Sequence, residues 1–180
     1  MTTQEIKVAG DRLGVLIGKG GATKRDIEEK THATIRVDSK EGMVIVEGED
    51  AQGVIGAVKV VEAINRGFSP ERAFQLLRDE DLVLDIIDLS AVVDTPRQLE
   101  RVRGRIIGRA GRSREQIEDM TGTSISVHGK TISIIGEFEQ VKTARTAVEM
   151  LVNGVPHETV YSFLDKKKRE AKQDLMGSYY

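Results

Sequence analysis

The sequence repeats itself at an offset of ninety, and this constrains its fold more than any other feature. "VLIGKGGATKRDIEEKTHATIRV" (15–37) aligns without a gap on "RIIGRAGRSREQIEDMTGTSISV" (105–127). "MVIVEGE" (43–49) matches "TISIIGE" (131–137) once two residues are removed, and "VEAINRG" (61–67) matches "VEMLVNG" (148–154). One supersecondary unit is therefore used twice. At 180 residues the chain has room for two small domains, each with a modest core.

Both copies read alike by periodicity. A leading strand (Ile6–Val8; Leu82–Leu89) precedes a helix with apolar positions at helical spacing: Leu13, Leu16 and Ile17 in one copy, Leu99, Val102 and Ile106 in the other. Asp11 is the expected N-cap of the first; Thr95, with Pro96 at the first helical position, caps its counterpart. Gly18 and Gly108 end these helices. A second helix follows at once, with Thr23 or Ser113 near its start and Ile27 or Ile117 facing inward. Two alternating strands come next (Ile35, Val37 and Val44, Val46; Ile125, Val127 and Ile132, Ile134). A last amphipathic helix carries Val54, Val58 and Val61, or Val141, Ala144, Val148 and Leu151. The order is β-α-α-β-β-α, twice. "SPERAFQLLRDED" (69–81) and "PHETVYSFLDKKKREAKQDLM" (156–176) each follow a glycine and read as one accessory helix placed after each unit.

Composition removes several function classes. There is no cysteine, so disulfides, thiolate metal sites and cysteine nucleophiles are excluded; His32, His128 and His157 lack metal-ligand spacing, and no metal or cofactor is expected. No window approaches the roughly 18 apolar residues of a membrane span, and the start lacks a signal peptide's apolar core, so a cytoplasmic protein without membrane contact is expected. Charge is uneven: residues 1–90 hold 12 Lys and Arg against 17 Asp and Glu, whereas residues 91–180 hold 15 against 12. An anionic partner should meet the second half first.

The most concentrated positive charge lies in "RVRGRIIGRAGRSRE" (101–115), with six arginines around a glycine turn. A G-x-x-G turn between helices passes through conformations closed to other residues and leaves room for another backbone. The following helix directs its N-terminal N–H groups and positive dipole end at the same place. With Lys19, or Arg109, Arg112 and Arg114, the turn becomes a cradle for phosphodiesters. A bare helix-helix corner is the competing reading. It weakens because the turn occurs twice, with a cation and no acid between its glycines, and because Glu100 is the one acid among the arginines from Arg97 to Arg114. Neither turn continues into G-x-x-x-x-G-K-[ST], and no nucleophile-base set recurs between copies, so an enzyme is not expected.

The β-α-α-β-β-α order with "IGKGG" and "IGRAG" at the first helix junction resembles the type I KH domain, over about four-fifths of the chain. The resemblance implies an α+β fold of two such domains, each a three-stranded sheet packed on three helices, and single-stranded RNA binding in which the G-x-x-G loop clamps roughly four nucleotides. By position, the clamps are Gly18, Lys19, Gly20 and Gly21, and Gly108, Arg109, Ala110 and Gly111. Lys24, Arg103, Arg105, Arg112 and Arg114 are the flanking cations. Ile17, Ile35 and Val37, with Ile107, Ile125 and Val127, would line the apolar side of each groove; for Ile27 and Ile117 ordinary core is the stronger reading. Aromatic residues are 4% of the chain and none lies near either turn, which disfavours a stacking platform.

The second unit, followed by "HETVYSFL", is similar to the partner-of-Nob (Dim-type) small-subunit ribosome-assembly factors, in their shorter archaeal-like form. That resemblance implies binding near the 3′ end of small-subunit rRNA, alongside an rRNA dimethyltransferase, a PIN-domain nuclease or translation and assembly factors. A KH subunit or regulator of another RNA machine (the exosome, translation) and a protein-protein adaptor remain as alternatives. The first unit keeps "GKGG" but has Asp26, Glu28 and Glu29 on its second helix, so it is expected to be the weaker binder or to face protein. The expected boundaries are 1–67 for the first KH domain, 68–81 for a linker helix, 82–154 for the second KH domain and 155–180 for a C-terminal helix and tail, in a monomer.

Overall fold

The computed structural model describes residues 1–177, so the last three residues of the expected C-terminal tail lie outside the described part. The chain divides into two compact units, Met1–Leu84 and Asp85–Tyr180. The first runs β1 (Thr2–Lys7), α1 (Gly10–Ile17), a 3-10 turn (Lys19–Gly21), α2 (Ala22–Thr31), β2 (Thr34–Asp38), β3 (Met43–Gly48) and α3 (Ala51–Asn65), followed by the short helices α4 (Pro70–Ala73) and α5 (Gln75–Arg78). The second repeats the order with β4 (Leu82–Asp88), within whose first half the division falls, α6 (Pro96–Ile107), a 3-10 turn (Arg109–Gly111), α7 (Arg112–Thr121), β5 (Ser124–His128), β6 (Thr131–Glu137) and α8 (Phe138–Val152), and closes with α9 (His157–Gly177).

Each sheet has three strands, in the orders β1-β3-β2 and β4-β6-β5. Alternation along the strands turns Ile6, Ile35, Val44 and Val46 inward in one unit, and Ile125, Ile132 and Ile134 in the other. They meet Leu16, Ile27, Val54, Val61 and Ile64, or Ile106, Ile117, Val141, Val148 and Leu151, all buried on the three helices. The two-residue gap in the repeat has a structural cause. The β2–β3 hairpin pairs Asp38 with Met43, whereas β5–β6 pairs His128 with Thr131 and turns through Gly129 and Lys130 alone. Such a turn needs positive φ at its first position, and Gly129 has φ 55°.

Two local expectations require correction. Asp11 is not the N-cap of α1: Ala9 is, without a side-chain cap, and Asp11 sits in the first turn. The entry is fixed instead from the end of α3, where the Asn65 amide accepts from Ala9 N–H (2.9 Å) and donates to the Lys7 carbonyl (3.3 Å). The two accessory segments also differ. Residues 69–81 form only two four-residue turns, because Asp79, Glu80 and Asp81 follow, where the negative end of a helix dipole repels acids. In α9 the charges support the helix, with Arg169 set against Asp165 (3.7 Å) and Lys167 against Glu170 (3.6 Å).

An arginine in each unit caps the helix that follows the third strand, α3 or α8. Arg12 Nε and Nη2 donate to the carbonyls of Ile64 and Phe68, both at 2.7 Å. In the second unit Arg105 donates to Leu151 (3.0 Å) and Val155 (2.6 Å). The carbonyls correspond in the repeat, yet the arginines do not: by the ninety-residue offset Arg12 aligns with Val102. A long side chain reaches the same orphan carbonyls from one turn away. Arg12→Ala should therefore lower the stability of the first unit by about 1.5–3 kcal/mol, as loss of charged hydrogen bonds to part-buried carbonyls does, read as a lower denaturation midpoint. Arg12→Lys should recover little of it, and a midpoint unchanged in Arg12→Ala would show the contact to be idle.

Candidate nucleic-acid interface

The two glycine turns have nearly the same geometry. Gly18 (φ 75°, ψ 175°) and Gly108 (φ 73°, ψ 175°) end α1 and α6 in a region reserved to glycine. A Cβ on Gly18 would collide with Thr23 Oγ1, and one on Gly108 would lie 2.6 Å from Ser113 Cβ. The next glycines, Gly21 (φ 78°) and Gly111 (φ 75°), are left-handed N-caps of α2 and α7, and neither helix has a side-chain cap. Orphan N–H groups and the positive dipole end thus face the loop. Between them Gly20 (φ 59°) corresponds to Ala110 (φ 56°), an alanine held left-handed.

The candidate cations separate into free and engaged ones. Lys19, Arg109 and Arg112 are exposed, and among the described residues none has an ion pair or side-chain hydrogen bond. Arg103 is half-buried and likewise unpaired. Arg114 is committed: Nη1 lies 2.8 Å from Glu118 Oε1, while Glu118 Oε2 accepts from Ile125 N–H at 2.8 Å. The first unit repeats this brace, with Lys24 on Glu28 (3.3 Å) and Glu28 accepting from Ile35 N–H (2.9 Å). Glu28 and Glu118 thus tie the second helix to the next strand and hold Lys24 and Arg114 to themselves, and Arg105 caps α8. One further cation was missed in the sequence reading: Arg25 places Nη1 where a Cβ on Gly21 would be 3.6 Å away. Its spacing, four residues after Gly21, is the signal that would have found it.

The apolar candidates also separate. Ile35 and Ile125 are 1% and 2% exposed, buried as deeply as Ile27 and Ile117, and belong to the core. Ile17, Val37, Ile107 and Val127 are half-buried and keep surface toward solvent. Each unit thus joins a cationic left-handed loop to a shallow aliphatic wall. Among the described residues no group of three His, Asp or Glu could hold a metal, and no helix is long and apolar enough to cross a membrane.

Residues 83–169 match the profile of the eukaryotic-type KH domain (KH domain type I), and residues 3–63 that of the KH domain. The KH domain-containing protein MJ0443 of Methanocaldococcus jannaschii is 41% identical over 93% of this chain and 75% of its own length. Dim2p from Pyrococcus horikoshii is 48% identical, with a TM-score of 0.86 over 92% of this chain and 99% of that one. The chain belongs to the Dim2p/PNO1 family of tandem type I KH proteins. It spans about half the length of a eukaryotic member, the RNA-binding protein PNO1 of Oryzias latipes, at 34% identity over 64% of this chain and 48% of that one. Dim2p from P. horikoshii is also known in an a/eIF2alpha-aDim2p-rRNA complex, which this chain matches at 47% identity and a TM-score of 0.87 over 94% of its length and 95% of that chain. KH domains are non-catalytic RNA-binding modules, and the β-α-α-β-β-α fold of both units is that of the family.

Ala110 stands where the first unit of this Dim2p/PNO1 chain has glycine, at a φ that costs a side-chain-bearing residue about 1–2 kcal/mol. Glycine's larger unfolded-state freedom offsets part of this. Ala110→Gly should raise the stability of the second unit by about 0.5–1 kcal/mol, and Gly20→Ala, into open space, should lower that of the first by a similar amount. Denaturation midpoints check both; a destabilised Ala110→Gly would mean that the loop relaxes out of the left-handed region.

Proposed function

We propose that this chain binds single-stranded RNA chiefly through the Gly108–Gly111 loop, at the 3′ end of small-subunit rRNA, and acts in ribosome biogenesis. One observation carries the reading: Arg109 and Arg112 are exposed and unpaired on either side of a left-handed turn that opens an uncapped helix. Phosphates fit such a place because charge, orphan N–H groups and a backbone without bulk converge there. The rRNA and a/eIF2alpha in the Pyrococcus complex support the choice of RNA and a translation factor of that kind as a partner. The rRNA dimethyltransferase and PIN-domain nuclease of the wider family are the further partners proposed, with a cytoplasmic place of action and a monomeric protein.

The first loop is the weaker clamp. It offers Lys19 and Arg25 where the second offers Arg103, Arg109 and Arg112, the helices behind the two loops carrying three acids each. Arg109→Asp with Ala110→Asp, which keeps a residue type tolerant of the left-handed region, should abolish binding to an RNA copying the rRNA 3′ end. Lys19→Asp with Gly20→Asp should weaken it less. Fluorescence anisotropy measures both, and the reverse order would assign the dominant clamp to the first unit.

A further inference from the structure

Helix α6 carries electrostatics that work against it. It begins with Pro96 and Arg97, has no acid in its first turn, and places Arg101 four residues after Arg97 on the same face. A cation at a helix N-terminus opposes the dipole, and like charges four apart repel. Both arginines are exposed, and among the described residues neither has an ion pair or side-chain hydrogen bond. Glu100 is the one acid on the helix. The equivalent α1 is eight residues long rather than twelve and has Asp11 in its first turn. The extra turn of α6 is what brings Arg97.

The stripe leads to the clamp. Arg97, Arg101, Gly104 and Gly108 follow at i, i+4, i+7 and i+11, one face of a helix, and Gly104 has open space where a Cβ would stand. From Arg97 to Gly108 the helix advances about 16 Å at about 1.5 Å per residue. We infer that α6 is a second phosphate track, on which Arg97 and Arg101 hold the backbone of nucleotides flanking those gripped by the Gly108–Gly111 loop. The inference rests on the RNA-binding reading above. It adds that the second unit engages a longer RNA than a single KH clamp does and that the extra contacts are made to phosphate, so they carry no base specificity. Arg105, spent on the carbonyls of Leu151 and Val155, is not part of the track.

The test uses the full chain with two probes: an RNA of about twelve nucleotides copying the rRNA 3′ end, and the best-binding window of it of about five nucleotides, enough to fill the clamp alone. Arg97→Gln with Arg101→Gln should weaken the longer RNA about tenfold and lower its salt slope by about 1.4, two contacts at about 0.7 each. Binding of the short RNA should stay within about twofold of the parent. Arg97→Lys with Arg101→Lys should restore most of the loss, since point charges serve a phosphate, and thermal melting should show the glutamine variant at least as stable as the parent. Equal loss on both RNAs, or no loss on either, would overturn the track. If the unmodified protein bound neither RNA, the RNA-binding reading itself would fall, and the track with it.

Discussion

The second unit turns on the contact between Gly108 and Ser113, and the first on that between Gly18 and Thr23. At each the chain leaves one helix in a conformation that only glycine occupies, and the missing Cβ lets the next helix start against it. If either glycine carried a side chain, the second helix would have to move outward, and the brace from Glu118 to Ile125 N–H, or from Glu28 to Ile35 N–H, would lose its reach. The brace sets the start of the following strand, which carries the aliphatic wall beside the loop. Loop, helix and wall are thus positioned by one close approach.

The same geometry sorts the cations. Two cations on the helices behind the loops, Lys24 and Arg114, are drawn into internal work by glutamates four residues on. Arg105 goes to the end of α8. Arg109 and Arg112 flank the left-handed Ala110 and Gly111 and have no ion pair among the described residues, so their charge stays available to a ligand. The partition is alike in both units, so the second loop is the more basic because it keeps more cations free, Arg103, Arg109 and Arg112 against Lys19 and Arg25. The first has fewer free cations, while the helices behind the two loops carry three acids each.

Most of the fold was legible in the chain, because a repeated hydrophobic pattern fixes strand and helix faces and the glycines mark the helix junctions. Thr95 and Pro96 announced the start of α6 correctly, since both the cap and its partner N–H are local. The start of α1 was not legible, because the group that fixes it, Asn65, comes from the far end of the unit. The site was legible as a loop and less so as a set of side chains. Spacing placed Arg105, Arg114 and Lys24 near the glycines, but their partners are set by packing, and proximity along the chain says nothing of engagement. Ile35 and Ile125 alternate correctly along their strands, yet the helices cover them fully, which the pattern of two cannot tell from a groove wall.

The most direct test of the account is the response of backbone amides to RNA. In a titration of the labelled protein with the rRNA 3′-end fragment followed by nuclear magnetic resonance, the largest shifts should fall first on Gly108 to Ser113 and on Val127, with Gly18 to Thr23 responding only at higher RNA concentration. First and largest shifts on the Gly18 loop, or shifts that bypass both loops, would contradict the claim that the second left-handed turn and its two free arginines are the principal clamp.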